Sequence, residues 1–244
     1  MRVNDDLHII PVTFVGQLGS MLLNLSLISD PAGGLILVDT SMPGHIETVA
    51  AALAADGFSI KNLSHIVLTH QDIDHIGSLA DIKAASGAEA VAHSVEAPYI
   101  EGKKKLAKYP SQERLDQNPG IKEMFDKIGF APVDRLVEDG DVLDVAGGVR
   151  IIYTPGHAPG HISLYLERSK ALITGDALVS DNGRLGPPGL GATPDYPTAI
   201  KSVQKLAALP EVSAIVAYHG GLVTDDPRGQ LQRVADELTS EAAK

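Results

Sequence analysis

The stretch Thr69-His70-Gln71-Asp72-Ile73-Asp74-His75-Ile76-Gly77 places two imidazoles and two carboxylates within six residues. Imidazole nitrogen and carboxylate oxygen are the side-chain groups that hold zinc, iron or manganese. The stretch directly follows His65-Ile66-Val67-Leu68, which reads as a buried strand because it is short, β-branched and closed by polar residues. Asp74 is placed to begin a helix, since Ile76, Leu79, Ala80 and Ile82 recur after it at helical spacing. The four donors then crowd a strand-to-helix turn at the end of a sheet, where open positions for a substrate are usually found. A solvated polar loop with two incidental histidines is the bland alternative.

Three further donors also follow apolar runs. His157 stands in Thr154-Pro155-Gly156-His157-Ala158-Pro159-Gly160-His161, Asp176 in Thr174-Gly175-Asp176, and His219 in Tyr218-His219-Gly220-Gly221. Singly, each is weak, because a histidine at a strand end is more often a hydrogen-bonded core or surface residue. Together they form a coherent set, with glycines that let the backbone turn tightly beside them. His8, His45, His65 and His93 lie outside these motifs and read as surface or packing residues.

The elements that must position these donors can be read in order. Leu7 to Val15, Met21 to Ser29 and Leu35 to Asp39 read as three strands in an antiparallel meander, with Gly16, Gly19, Gly33 and Gly34 in the turns. Ile46 to Ala55 reads as a helix ended by Gly57, and the helix after the donor-rich turn is ended by Gly87. Ala88 to His93 is a further strand. Residues 95–134 hold Pro98, Pro110, Pro119 and Pro132 and only weak helical pieces such as Ile121 to Ile128. So long an irregular insertion predicts a lid that covers substrate, or a segment that donates a homodimer contact.

Strands resume at Arg135 to Val137, Val142 to Val145, Val149 to Tyr153, Ile162 to Leu166 and Ala171 to Thr174, and Gly183 to Gly191 reads as a loop. A helix from Pro197 to Leu209 capped by Asp195, a strand from Ala214 to Tyr218 and a closing helix from Leu231 to Leu238 complete the order. Strands, helix, strand, helix occurs twice. That predicts an α+β fold of two similar halves, each a mostly antiparallel sheet with helices on its outer face, packed sheet on sheet as a single domain over 1–244.

Composition narrows the partners. The formal net charge is -11, and phosphate binding needs a positive footprint, so nucleic acid is excluded as an expected partner. The basic run Lys103-Lys104-Lys105 reads as a solvated helix face. There are 0 cysteines, so any metal must be held by His, Asp or Glu. No apolar run approaches the ~20 residues that span a bilayer, and Asp5 and Asp6 stand where an export signal would be apolar. The expectation is a cytoplasmic protein that acts on a small molecule away from membranes.

The combination of His70-x-Asp72-x-Asp74-His75, Thr-Pro-Gly-His157, Gly-Asp176 and His219-Gly, in that order, resembles the metallo-β-lactamase fold hydrolases over nearly the whole chain. The resemblance implies a four-layer αββα sandwich with a binuclear metal site along one edge of the sheets. It implies His70, Asp72 and His157 at site one, Asp74, His75 and His219 at site two, and Asp176 bridging two divalent ions. It further implies hydrolysis by a metal-bridging hydroxide that attacks the carbonyl carbon of an ester, thioester, lactone or amide, with Asp74 passing the proton to the leaving group. His161 matches a histidine that supports the site without binding metal.

One position departs from the pattern. Asp72 stands where the family carries a second histidine, which adds a negative charge to site one. Zinc remains the first expectation, but carboxylate favours harder ions such as manganese or iron. A site one too weak to fill, leaving a single metal, is the alternative. The substrate narrows less. Acyl-homoserine lactonases of the fold carry a tyrosine soon after the bridging aspartate, whereas Ala177-Leu178-Val179 follows here and only Tyr196, Tyr99 or Tyr109 could substitute in space. No basic set that would hold a glutathione carboxylate is visible. A carboxylic ester, lactone or thioester hydrolase is the reading, with an iron-dependent oxygen or persulfide enzyme, or a β-lactam hydrolase, as alternatives. A binding protein that has lost catalysis is disfavoured, since every ligand position holds a competent donor.

Overall fold

The computed structural model describes residues 1–16, 19–30 and 34–242. The chain opens with strands β1 (Leu7–Gly16), β2 (Gly19–Ser29) and β3 (Leu35–Val38), helix α1 (Ile46–Ala55), strand β4 (His65–Leu68), helices α2 (Ile73–Ile76) and α3 (Leu79–Ser86) and strand β5 (Glu89–His93). Three short helices follow, α4 (Ala97–Ile100), α5 (Gln112–Gln117) and α6 (Pro119–Asp126), then strand β6 (Arg135–Val137). The second half holds β7 (Val142–Leu143), β8 (Val149–Tyr153), β9 (Ile162–Leu166), β10 (Ala171–Gly175), β11 (Val179–Asp181), β12 (Arg184–Gly186), α7 (Tyr196–Ala207), β13 (Ala214–Ala217), β14 (Gly221–Val223) and α8 (Pro227–Ala242).

Two 6-stranded sheets result, ordered β1-β2-β3-β4-β5-β6 and β14-β13-β10-β9-β8-β7. Strand periodicity explains why they stack. Ile36, Val38 and Val67 point one way and meet Val149, Ile151, Leu164 and Val216 of the other sheet. Their neighbours Leu37, Ile66 and Leu68 point the other way, onto Val49 and Leu53 of α1 and Leu79 and Ile82 of α3. On the far side Leu172 and Ile215 meet Val203 and Leu206 of α7 and Leu231, Val234 and Leu238 of α8. Helix, sheet, sheet, helix is the layering, as expected.

Several details differ from the sequence reading. Antiparallel pairing predominates across the two sheets, but the first turns parallel from β3 onward and β10 pairs parallel with β13, because α1, α3, the α4–α6 segment and α7 act as crossovers that return the chain in the same direction. The helix expected from Asp74 starts at Ile73 and stops at Ile76. Gly77 keeps helical dihedrals and packs against the β3–α1 connection, where an added Cβ would come within 2.3 Å of the Pro43 nitrogen, and the break falls at Ser78, whose hydroxyl donates to Met42 O. The expected loop at Gly183 to Gly191 contains β12, which pairs with β11 in a small hairpin, and β14 was not foreseen. The strand at Val142 ends at Leu143, and the helical piece expected at Ile121 to Ile128 is α6, shifted toward Pro119. Lys103 and Lys104 lie in a bend and Lys105 in irregular chain after α4 rather than on a helix face. The turn residue Gly33 lies outside the described residues.

Candidate metal centre

All seven donors meet where strand ends of the two sheets come together. The ends are tied across the interface: Ile162 N donates to Thr69 O at 3.0 Å, and Asn24 N and Nδ2 donate to Tyr218 O at 3.0 and 3.1 Å. The β4–α2 turn carries His70 and Asp72, and α2 itself carries Asp74 and His75. The β8–β9 connection carries His157, the end of β10 carries Asp176, and the end of β13 carries His219. Glycine makes two of these close approaches feasible. Gly175 has φ +51°, and a Cβ there would come within 2.7 Å of His161 Nε2. Gly220 has φ +103°, where a Cβ would strike the Ser180 carbonyl at 1.6 Å.

Three donor groups form, each with its ligating atoms within 4.8 Å of one another: His70, Asp72 and His157; Asp74, His75 and His219; and His70, His75 and Asp176. Asp176 joins them, with Oδ1 3.4 Å from His75 Nε2 and Oδ2 3.3 Å from His157 Nε2 and 3.4 Å from His219 Nε2. Asp74 Oδ2 lies 3.4 Å from His219 Nε2, and Asp72 Oδ2 lies 3.0 Å from His157 Nε2 and 3.3 Å from His70 Nε2. His70 Nε2, His75 Nε2 and Asp176 Oδ1 are buried without a hydrogen-bond partner. Orphaned polar atoms aimed at one another are costly unless something completes them. A divalent cation fits that donor set.

Second contacts fix the rings. His75 Nδ1 lies 2.9 Å from Asp39 Oδ2, and Asp39 Oδ1 also accepts from Thr69 N at 2.8 Å. His70 Nδ1 meets Thr69 Oγ1 at 3.0 Å, and His157 Nδ1 meets Thr193 Oγ1 at 3.4 Å. His161 does not join the donors. Its Nε2 accepts from Asp176 N at 3.0 Å and its Nδ1 meets Thr154 Oγ1 at 2.9 Å, a supporting role.

The electrostatics follow from burial and proximity. Burial alone would lower His75, yet Asp39, Asp176 and Asp74 raise it well above its ordinary value. Burial likewise opposes the charged His219, but Asp176 and Asp74 push it up to about 9. His70 is lowered by burial and by the neighbouring His75. Burial would raise Asp72 and Asp176, but their histidines hold both well below the usual carboxylate range. Like-charged acids are thus kept ionised by the rings around them.

Four residues at the site were not singled out for it in the sequence. Asp39 was read only as the close of a strand; its φ of 64° turns the carboxylate back under His75. Tyr218 donates its hydroxyl to Asp74 O and lays its ring 3.9 Å from that of His75. Glu96 accepts from Gln71 N at 2.9 Å and from Gly160 N at 2.6 Å, joining the two main donor loops. Lys108 reaches Asp72 Oδ2 at 2.6 Å. The bland readings of the remaining histidines hold: His8 pairs with Asp56, His45 with Ser41, His65 with Ser64, and His93 stacks on Tyr153. Tyr196 packs with the α7–α8 cluster, and Tyr99 and Tyr109 with the α1–α3 cluster.

Residues 23–219 match the sequence model of the metallo-beta-lactamase superfamily. A probable metallo-hydrolase of Bacillus subtilis is 34% identical over 88% of this chain and 86% of its own length. A hydroxyacylglutathione hydrolase of Haemophilus influenzae is 28% identical over 90% of this chain and 92% of its own. Among solved structures, a metallo-beta-lactamase family protein of Thermus thermophilus superposes with a TM-score of 0.76 at 25% identity, covering 99% of this chain and 81% of the other. Among the described residues no helix is long and apolar enough to cross a membrane. With its donor set, its layering and these relatives in agreement, the chain belongs to the metallo-beta-lactamase superfamily and is an enzyme of the metallo-hydrolase type.

Proposed function

We propose that this enzyme hydrolyses a carboxylic ester, thioester or lactone with an apolar group, using divalent cations, zinc first, held by His70, Asp72 and His157 at site one and by Asp74, His75 and His219 at site two, with Asp176 between them. The observation that carries this is that one of the donors, Asp74, lines a largely apolar cleft. The cleft measures about 590 Å³, and Phe14, Met21, Met42, Ile73, Ile121 and Met124 line it beside Asp74. Such a volume suits a small-molecule substrate. α6 of the 95–134 insertion forms one wall, which supports the reading of that insertion as a lid on a single domain. A bound divalent cation supplies a Lewis acid there and lowers the pKa of water toward neutrality. The cleft receives the apolar group, His70 Nε2 and His75 Nε2 would help hold the ion, and Asp74, facing both the cleft and His219, is placed to hand a proton to the leaving group. A relative named for hydroxyacylglutathione hydrolysis favours a thioester.

The test offers metal-loaded protein nitrophenyl esters of rising chain length, acyl thioesters including hydroxyacylglutathiones, lactones and β-lactams. Chelator-sensitive turnover of an ester, thioester or lactone without oxygen uptake is expected, and Asp74→Asn should lower kcat about a hundredfold with little change in KM. Bound iron with oxygen consumption and no ester turnover would replace this reading with a redox one, which the Asp72 carboxylate would suit. Full turnover by Asp74→Asn would remove Asp74 from the chemistry.

A further inference from the structure

The chain between α4 and α5 delivers an ammonium group into site one. Lys108 Nζ lies 2.6 Å from Asp72 Oδ2 and 2.6 Å from His157 Nε2. An ammonium has no lone pair, so His157 must accept through Nε2, with its ring proton on the Nδ1 that faces Thr193 Oγ1. That Nε2 lone pair, together with the Asp72 oxygen, is what a cation in site one would need. The two cations exclude each other.

The placement is built into the fold rather than left to one flexible side chain. Ala107 N donates to Gln71 Oε1 at 2.6 Å, and Gln71 is the buried residue between His70 and Asp72. On the other side of that anchor Leu106 is buried in the cluster under α3, and Tyr109 meets the Phe125 ring edge-on at 5.1 Å. Site two differs: among the described residues, no lysine or arginine pairs with Asp74 or Asp176, whose ion-pair partners are histidines.

We propose that Lys108 is an internal competitor for site one, so that the chain fills site two first and takes an ion at site one only when the Lys108 ammonium withdraws. With Lys108 in place, the ammonium neutralises the carboxylate that distinguishes this site from the usual all-histidine pattern. With Lys108 out, the orphaned His70 Nε2 gains a partner in the incoming ion. The inference rests on the ligand assignment above.

Equilibrium dialysis of metal-free protein against Zn²⁺ and Co²⁺, with elemental analysis and the visible Co²⁺ spectrum as readouts, tests it without substrate. The wild type should keep about one ion per chain after dialysis into metal-free buffer and bind a second at least tenfold more weakly. Lys108→Met and Lys108→Gln should each tighten the second ion about tenfold or more, leave the first unchanged, and give the Co²⁺ spectrum of two filled sites. Thermal unfolding checks that both variants fold, and the side chain is 24% exposed, so little packing is lost. A wild type that holds two ions equally tightly, or variants whose second ion binds no better than in the wild type, would overturn the proposal. Failure of the hydrolase reading would look different: the second ion would still bind more tightly to the Lys108 variants than to the wild type, but fully loaded protein would turn over no substrate class.

Discussion

The two halves of the donor cluster are supported in different ways. At the proposed site two the ring of His75 rests on a carboxylate, Asp39, which is itself held by Thr69. At the proposed site one the rings of His70 and His157 rest on hydroxyls, those of Thr69 and Thr193. A carboxylate behind an imidazole fixes the tautomer and makes the far nitrogen a stronger donor, and a hydroxyl does this less. The competitors differ too. In site two, the acids pull a proton onto His75 and His219; in site one an ammonium lies on the donors. Seven donors in one cluster therefore do not make two equivalent metal positions.

Asp176 is the largest lever on this comparison, because its carboxylate faces histidines of both proposed sites. Asp176→Ala should abolish the distinction by weakening both, with kcat/KM falling about a thousandfold or more and ion content dropping in elemental analysis. Retention of one tight ion would mean that site two stands without its bridge. Next in size is Asp39→Asn. It keeps the shape but removes the charge behind His75, and should weaken the first ion roughly tenfold to a hundredfold by competition with a chromophoric chelator. Thr193→Val, the matching change behind His157, should move the first ion little and the second by less than Asp39→Asn moves the first. Equal effects would erase the asymmetry argued from these supports.

How much of this could be read in the sequence follows from where the information lies. The donors of the β4–α2 turn are adjacent in the chain, so residue type and spacing displayed them directly. His157, Asp176 and His219 were recognisable through the glycines around them, and Gly156, Gly175 and Gly220, each next to its donor, all have a positive φ. Asp39 and Glu96 were not, because a carboxylate under a ring 36 residues away or between two loops is a fact of packing with no local pattern. Lys108 was hidden for another reason: its segment lacks periodicity, and one lysine among several has no signature. The parallel half of the first sheet was legible in principle, since strand, helix, strand over β3, α1 and β4 calls for a crossover. Reading the opening strands as a meander extended the antiparallel expectation too far.

Glu96 gives the finest view of how the two donor loops are coupled. It is fully buried, and burial raises its carboxyl to about 7 despite the two backbone N–H groups that favour its charge. A carboxyl whose folded value exceeds its unfolded one binds more protons in the native state between the two values. Its contribution to stability is therefore complete below the ordinary value of 4.5 and shrinks as pH rises toward 7. The span corresponds to roughly 3 kcal/mol if no neighbour compensates. Glu96→Gln removes this titration but keeps an acceptor for only one of the two loops, so the variant should be less stable than wild type at pH 5 and closer to it at pH 8. Urea unfolding of the metal-free proteins at both values measures the gap. A gap that widens with pH would mean that Glu96 is held as a carboxylate in the native state, its bonds to Gln71 and Gly160 outweighing the cost of burying the charge.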